Sequence, residues 1–167
     1  MFELTNFETG FNGWEFKYWM PEGRNIHAAI EPRSGLFGTA GVVFNSDGRG
    51  DDGIFFLQKI FRVNPAWSCF VVSWFFASFN PQAVIGLWPR VVYVGSPRDL
   101  AQQETQHVFV RFDGRDHLVP LGDHRWNQQQ HAQILAKEED IQVCVGWKIN
   151  WETDRTSYID SITVTAE

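Results

Sequence analysis

The side chain in this sequence that most needs a chemical explanation is Asp160. Residues 158–165 alternate as a β-strand, and in that alternation Asp160 shares a face with Ile162 and Val164. A carboxylate pointing inward must be paired or bound to a metal, because an unpaired buried charge is very costly. One solution pairs Asp160 with Arg155, five residues earlier.

A second constellation has the chemistry of sugar recognition. Pyranose faces stack on aromatic rings, while hydroxyls favour planar or bidentate polar partners. Lys148 and Asn150 occupy the polar phase of the stretch 141–151. Trp88 and Arg90 share one phase of an expected strand at 86–94, and Arg111 is phase-exposed on the next. These five side chains could line the open face of one sheet, floored by Ser73, with Trp67 and Trp126 in loops at its rim. Pro89 beside Trp88 suits a sheet edge or bulge, where a ring reaches solvent. Taken singly, most of the eight Trp residues belong in a core.

Other groupings are weaker. Residues 45–53, NSDGRGDDG, suggest a calcium loop, but Arg49 stands where an oxygen ligand is needed, so a solvated loop fits better. Asp51 or Asp52 could still lend an oxygen to a site nearby. His117, His124 and His131 recur every seven residues, with His107 upstream, yet Pro120 and Gly122 interrupt the segment and no HExxH occurs. Glu104, Asp113 and Asp116 could form an acid/base pair, but nothing sets the separation that glycoside hydrolysis requires. No GxSxG or P-loop is present.

The elements that must position these groups are strands. The stretch 141–151 places Ile141, Val143, Val145, Trp147, Ile149 and Trp151 at every second position. In 54–63, Phe55, Leu57, Phe61 and Val63 share a face; in 68–79, Phe70, Val72, Trp74 and Phe76 do. The second of these is apolar on both faces, as a central strand or the floor of a groove would be. Turn-forming clusters at 8–13, 64–66, 96–99, 114–116 and 152–157 separate the runs. Segment 126–137 could form a short helix by composition, but its surroundings favour a strand. The expectation is all-β: about ten strands in a two-sheet antiparallel sandwich of jelly-roll type.

Composition agrees. The 167 residues suit one domain spanning 1–167, and aromatics make up 16%. A net charge of −6 argues against a nucleic-acid partner, which would need a basic face. No apolar run is long enough for a membrane span. The N-terminus, MFELTNFETG, lacks a basic region followed by an apolar one, so no signal peptide is expected and the reading is cytoplasmic. Cys69 and Cys144 read as buried free thiols.

The two ends carry a resemblance. NFETGFNGWEF, residues 6–16, resembles the opening of many carbohydrate-binding modules and galactose-binding-like domains; YIDSITV, residues 158–164, resembles their closing strand. The resemblance covers about 20 residues and implies a jelly roll, a carbohydrate partner and a structural calcium. The family's calcium-binding Glu and Asp match Glu8 and Asp160. The alternation supports this independently: Glu8 shares the phase of Phe2 and Leu4, so antiparallel terminal strands could bring two inward carboxylates together. Two like charges in one site need a cation, and carbonyls of residues 33–35 could add oxygens. The leading expectation is a non-catalytic, calcium-stabilised carbohydrate-binding domain with Trp88, Arg90, Arg111, Lys148 and Asn150 at its ligand face. Two others stand beside it. One is a structural or protein-interaction sandwich without sugar binding, favoured by the missing export signal. The other is an enzyme using the stretch 113–131.

Overall fold

The computed structural model describes residues 1–20, 26–47, 52–64, 66–79, 90–102, 109–112, 118–121, 124–134, 140–149 and 154–167. For residues 78, 79, 102, 110–112, 118–121, 124, 125, 127, 129, 133, 134, 154 and 155 it describes the backbone alone. Twelve strands appear among them: β1 (Phe2–Thr5), β2 (Glu15–Trp19), β3 (Ile26–Glu31), β4 (Gly41–Asp47), β5 (Gly53–Arg62), β6 (Cys69–Phe79), β7 (Arg90–Gly95), β8 (Val110–Phe112), β9 (Leu118–Leu121), β10 (His124–Ile134), β11 (Asp140–Ile149) and β12 (Asp154–Ala166). A 3-10 turn at Leu36–Gly38 and a short helix, α1 (Pro97–Gln102), interrupt them.

The strands form two antiparallel sheets, the all-β sandwich that the alternation predicts. One has seven strands in the order β3-β4-β12-β6-β10-β9, with β1 beside the C-terminal half of β12. The other has the order β2-β5-β11-β7-β8. Their inner faces make one core. Phe70, Val72, Trp74 and Phe76 of β6 meet Phe55, Leu57 and Phe61 of β5 and Val143, Val145, Trp147 and Ile149 of β11, as the period of two requires. Trp147 stacks on Phe55 with ring centroids 5.4 Å apart and receives Phe44 and Phe76 edge-on. The ambiguous segment 126–137 lies largely in β10. Both cysteines are free, one in each sheet.

Several expectations fail, each for a local reason. Asp160 is not on the face of Ile162 and Val164: a β-bulge between Asp160 and Thr163, with Ser161 at φ 51°, inserts one residue and reverses the phase. Asp160 sits opposite outward Phe75, while Ile162 and Val164 point into the core. On β1 the inward residues are Glu3 and Thr5, not Phe2 and Leu4. Their polar groups are satisfied there, Glu3 by Lys59 Nζ at 2.9 Å and Thr5 Oγ1 by the Trp14 indole N–H at 3.2 Å. Trp126 is no rim platform but a strand residue 1% exposed, packed with Leu36 and Ala77. Trp67 packs half-buried against the main core.

Another is α1, where the sequence predicts a turn at 96–99. Ser96 Oγ accepts the N–H of Arg98 at 3.2 Å as an N-cap, and Pro97 takes the first helical position, where its missing N–H costs nothing. The Tyr93 hydroxyl donates to the Ser96 carbonyl at 2.6 Å and ties the helix start to β7.

Candidate functional site

The chain between β3 and β4 doubles back on itself over the outer face of the seven-stranded sheet. Gly35 N–H donates to the Thr39 carbonyl at 2.8 Å, and the Ser34 hydroxyl lies between the carbonyls of Glu31 (2.7 Å) and Gly41 (3.0 Å). A side chain on Gly35 would run into the Ala40 carbonyl, so only glycine fits there. Phe37, at φ 58°, and Gly38, at φ 78°, complete the bend in the left-handed region. Leu36 anchors the loop by packing on Ala77 and Trp126.

This loop is where the two carboxylates meet. Asp160 is 0% exposed. Its Oδ2 accepts the Leu36 N–H at 2.8 Å and lies 3.1 Å from the Thr39 hydroxyl; Oδ1 accepts the Ser161 N–H at 2.6 Å. Glu8, in the turn after β1, accepts the Ala40 N–H at 2.8 Å on Oε1. The pair thus grips residues 36–40 from two sides, although neither residue arrives by the alternation phase expected for it. Burial raises the Asp160 carboxyl above the ordinary carboxylate range. The Leu36, Ser161 and Thr39 hydrogen bonds oppose that shift, and the Glu8 charge adds to it. Among the described residues, neither carboxylate has a salt-bridge partner and no third acid, His or Cys joins them. The Arg155 side chain lies outside the described set, as does Asp51.

Two carboxylates are the oxygen groups that a hard cation would use here. Backbone N–H groups of Leu36, Ser161 and Ala40 already point at these oxygens, and Asp160 Oδ1 and Glu8 retain acceptor capacity beyond the donors they hold. Calcium held here would draw further oxygens from carbonyls and water. Sequence reasoning found the two acids but missed Leu36, Thr39 and Ala40, which position them. The run Gly35, Gly38 and Gly41 was the available signal for such a folded loop.

The proposed ligand residues scatter more widely. Lys148 is half-buried on the outer face of the five-stranded sheet, opposite Ile54. Arg111 lies opposite Val91 on the same face by backbone register; its side chain is outside the described set. Arg90 is not on that face. It is 4% exposed and shares the inward phase of Val92 and Val94, with its guanidinium 4.6 Å from the Phe76 ring centre. Trp88 and Asn150 lie outside the described residues, as do Glu104, His107, Asp113, Asp116 and His117. Part of the outer face is closed: Ile54, Phe56, Val91, Tyr93 and Cys144 form an apolar cluster with Leu100 of α1 and Phe109. That burial pushes the Cys144 thiol far up.

No protein-family model and no curated protein matches the sequence. Solved structures do match its fold from end to end. One is TmCBM61 in complex with β-1,4-galactotriose, at TM-score 0.57 and 17% identity, covering 98% of this chain and 95% of that one. Another is Caldicellulosiruptor saccharolyticus CBM27-1 in complex with mannohexaose, at 0.58 and 9%, covering 98% and 96%. A third is the K1 cleaved adhesin domain of Lys-gingipain from Porphyromonas gingivalis W83, at 0.60 and 13%, covering 100% and 99%. At these identities the likeness establishes the fold: the chain has the jelly-roll sandwich found in carbohydrate-binding modules.

Proposed function

We propose that this chain is a non-catalytic carbohydrate-binding domain whose β3–β4 loop is fixed by calcium at Glu8 and Asp160. The observation that carries the reading is the convergence of those two acids, drawn from opposite ends of the sequence, on one loop of this fold. It joins the motif resemblance to the end-to-end likeness to modules solved with galactotriose and mannohexaose. Calcium would neutralise the paired carboxylates and hold the loop as a structural ion. Sugar would be taken on the outer face of the five-stranded sheet, where Lys148 and Arg111 lie, with Trp88 as stacking platform and Asn150 as hydroxyl partner. Arg90, held over Phe76 inside the sandwich, would support that face from behind.

A second reading, a protein-interaction sandwich, draws on two observations: the adhesin-domain neighbour, and the apolar cluster closing part of the proposed face. A glycan array probed with and without calcium separates the two. The carbohydrate reading expects binding to neutral glycans that Lys148→Ala weakens, whereas a blank array with folded protein favours the interaction domain.

A further inference from the structure

The outer face of the seven-stranded sheet carries side chains whose exposure the fold itself does not require. Antiparallel register sets them in rows across four strands. One row is Leu4 (β1), Thr163 (β12), Ser73 (β6) and Gln130 (β10). The row on one side begins with Phe2 opposite Thr165; the row on the other holds Gln128 opposite Phe75. Phe2 is 70% exposed and Leu4 54%, although their strand turns its polar residues Glu3 and Thr5 inward. Gln128 and Gln130 are exposed, and Ser73 and Thr163 half-exposed.

The geometry points to this face as a second sugar-binding surface, taking a short stretch of an uncharged polysaccharide across β1, β12, β6 and β10. The assignment rests on the carbohydrate-binding reading above and places a site on the sheet opposite the one proposed there. Phe2 offers an open ring for the apolar face of a pyranose. Each glutamine amide offers two donors and an acceptor, and each hydroxyl offers both roles, which is the complement of sugar hydroxyls. In these rows the one ionisable described side chain is Asp160, which is sealed beneath the loop, on a chain whose net charge is −6. Among the described side chains of these rows no exposed charge offers a charged ligand a partner; a neutral one needs none.

Size argues for an oligosaccharide over a protein. Three strand spacings of about 4.8 Å by one full row spacing of roughly 6.8 Å, with Gln128 and Phe75 extending one side, give a patch of at most about 14 Å by 14 Å, or a few hundred Å² with its side chains. A stable protein partner needs about 800 Å² on each side. The β3–β4 loop bounds the patch at one end, where Leu36 seals Ala77 and Trp126 and the next residue, Phe37, is 76% exposed.

The test is amide chemical-shift mapping of the ¹⁵N-labelled full chain in calcium, titrated separately with β-1,4-galactotriose, mannohexaose and xylohexaose. Shifts at Ser73, Thr163, Gln128 and Gln130 with at least one sugar are expected, together with at least tenfold weaker binding there in Gln130→Ala and in Phe2→Ser. Both positions are exposed, so both variants should melt with the wild type. The unmutated map decides the case even if a variant misfolds. Shifts confined to Gly146, Lys148 and Val91 would overturn this site and leave the carbohydrate reading standing. No shifts with any of the three sugars would overturn both.

Discussion

Replacing Asp160 by Ala should loosen the β3–β4 loop by an amount that its hydrogen bonds predict. The substitution removes the acceptor for two backbone N–H groups, Leu36 at 2.8 Å and Ser161 at 2.6 Å. A buried donor left without a partner costs about 1–3 kcal/mol. The Thr39 hydroxyl loses less, because it has a single proton and the Leu36 carbonyl stands 2.5 Å away as an alternative acceptor. Against the loss stands relief of the burial penalty that raises the Asp160 carboxyl. The net expectation is about 2–4 kcal/mol of destabilisation. For a chain of this size that corresponds to a fall in Tm of roughly 4–16 °C. Urea unfolding in excess chelator isolates the hydrogen-bond network from any bound ion. Thr39→Val should cost less than about 1 kcal/mol in the same assay. A loss below about 1 kcal/mol for Asp160→Ala, or equal losses for the two variants, would refute this account of the loop.

Three further outcomes follow. If Glu8 and Asp160 share calcium, adding the ion to chelated protein should raise Tm by mass action, and Asp160→Asn should abolish the rise; an unchanged melt in excess chelator would remove the metal. Trp147→Ala should cost about 3–5 kcal/mol by opening a cavity beneath Phe44, Phe55 and Phe76, whereas Lys148→Ala should cost little, and equal effects in denaturant titrations would contradict the strand phase. Cys144, sealed under Leu100 and Phe109, should resist a thiol reagent that Cys69 accepts in the native protein, with both reacting in denaturant; rapid native reaction at Cys144 would mean that the α1 cover is absent.

The period of two carried the core into view: the inward residues of β5, β6 and β11 follow from alternation, because nothing breaks the pleat along them. Where the pleat breaks, alternation misleads. The bulge at Ser161 reversed the face of Asp160, and a serine in the left-handed region leaves no mark in composition. The inward Glu3 was hidden for a different reason, since its partner Lys59 is 56 residues away. Helix α1 was legible in Ser96-Pro97 as a cap and first position, but at six residues it falls below what periodicity detects. The two acids of the loop site were identified through the motifs at the chain ends. The backbone donors of Leu36 and Ala40 that hold them belong to no side-chain pattern. For Arg90, alternation was read in the wrong sense: its phase is that of Val92 and Val94, and a stacked guanidinium over Phe76 lets a charged side chain stand in an apolar interior.

Isothermal titration of the calcium-loaded protein shows directly whether this sandwich binds carbohydrate. With β-1,4-galactotriose, mannohexaose and xylohexaose titrated in turn, a saturable heat is expected with at least one sugar, diminished in Lys148→Ala. Flat titrations with all three, from protein shown to be folded by its melt, would contradict it.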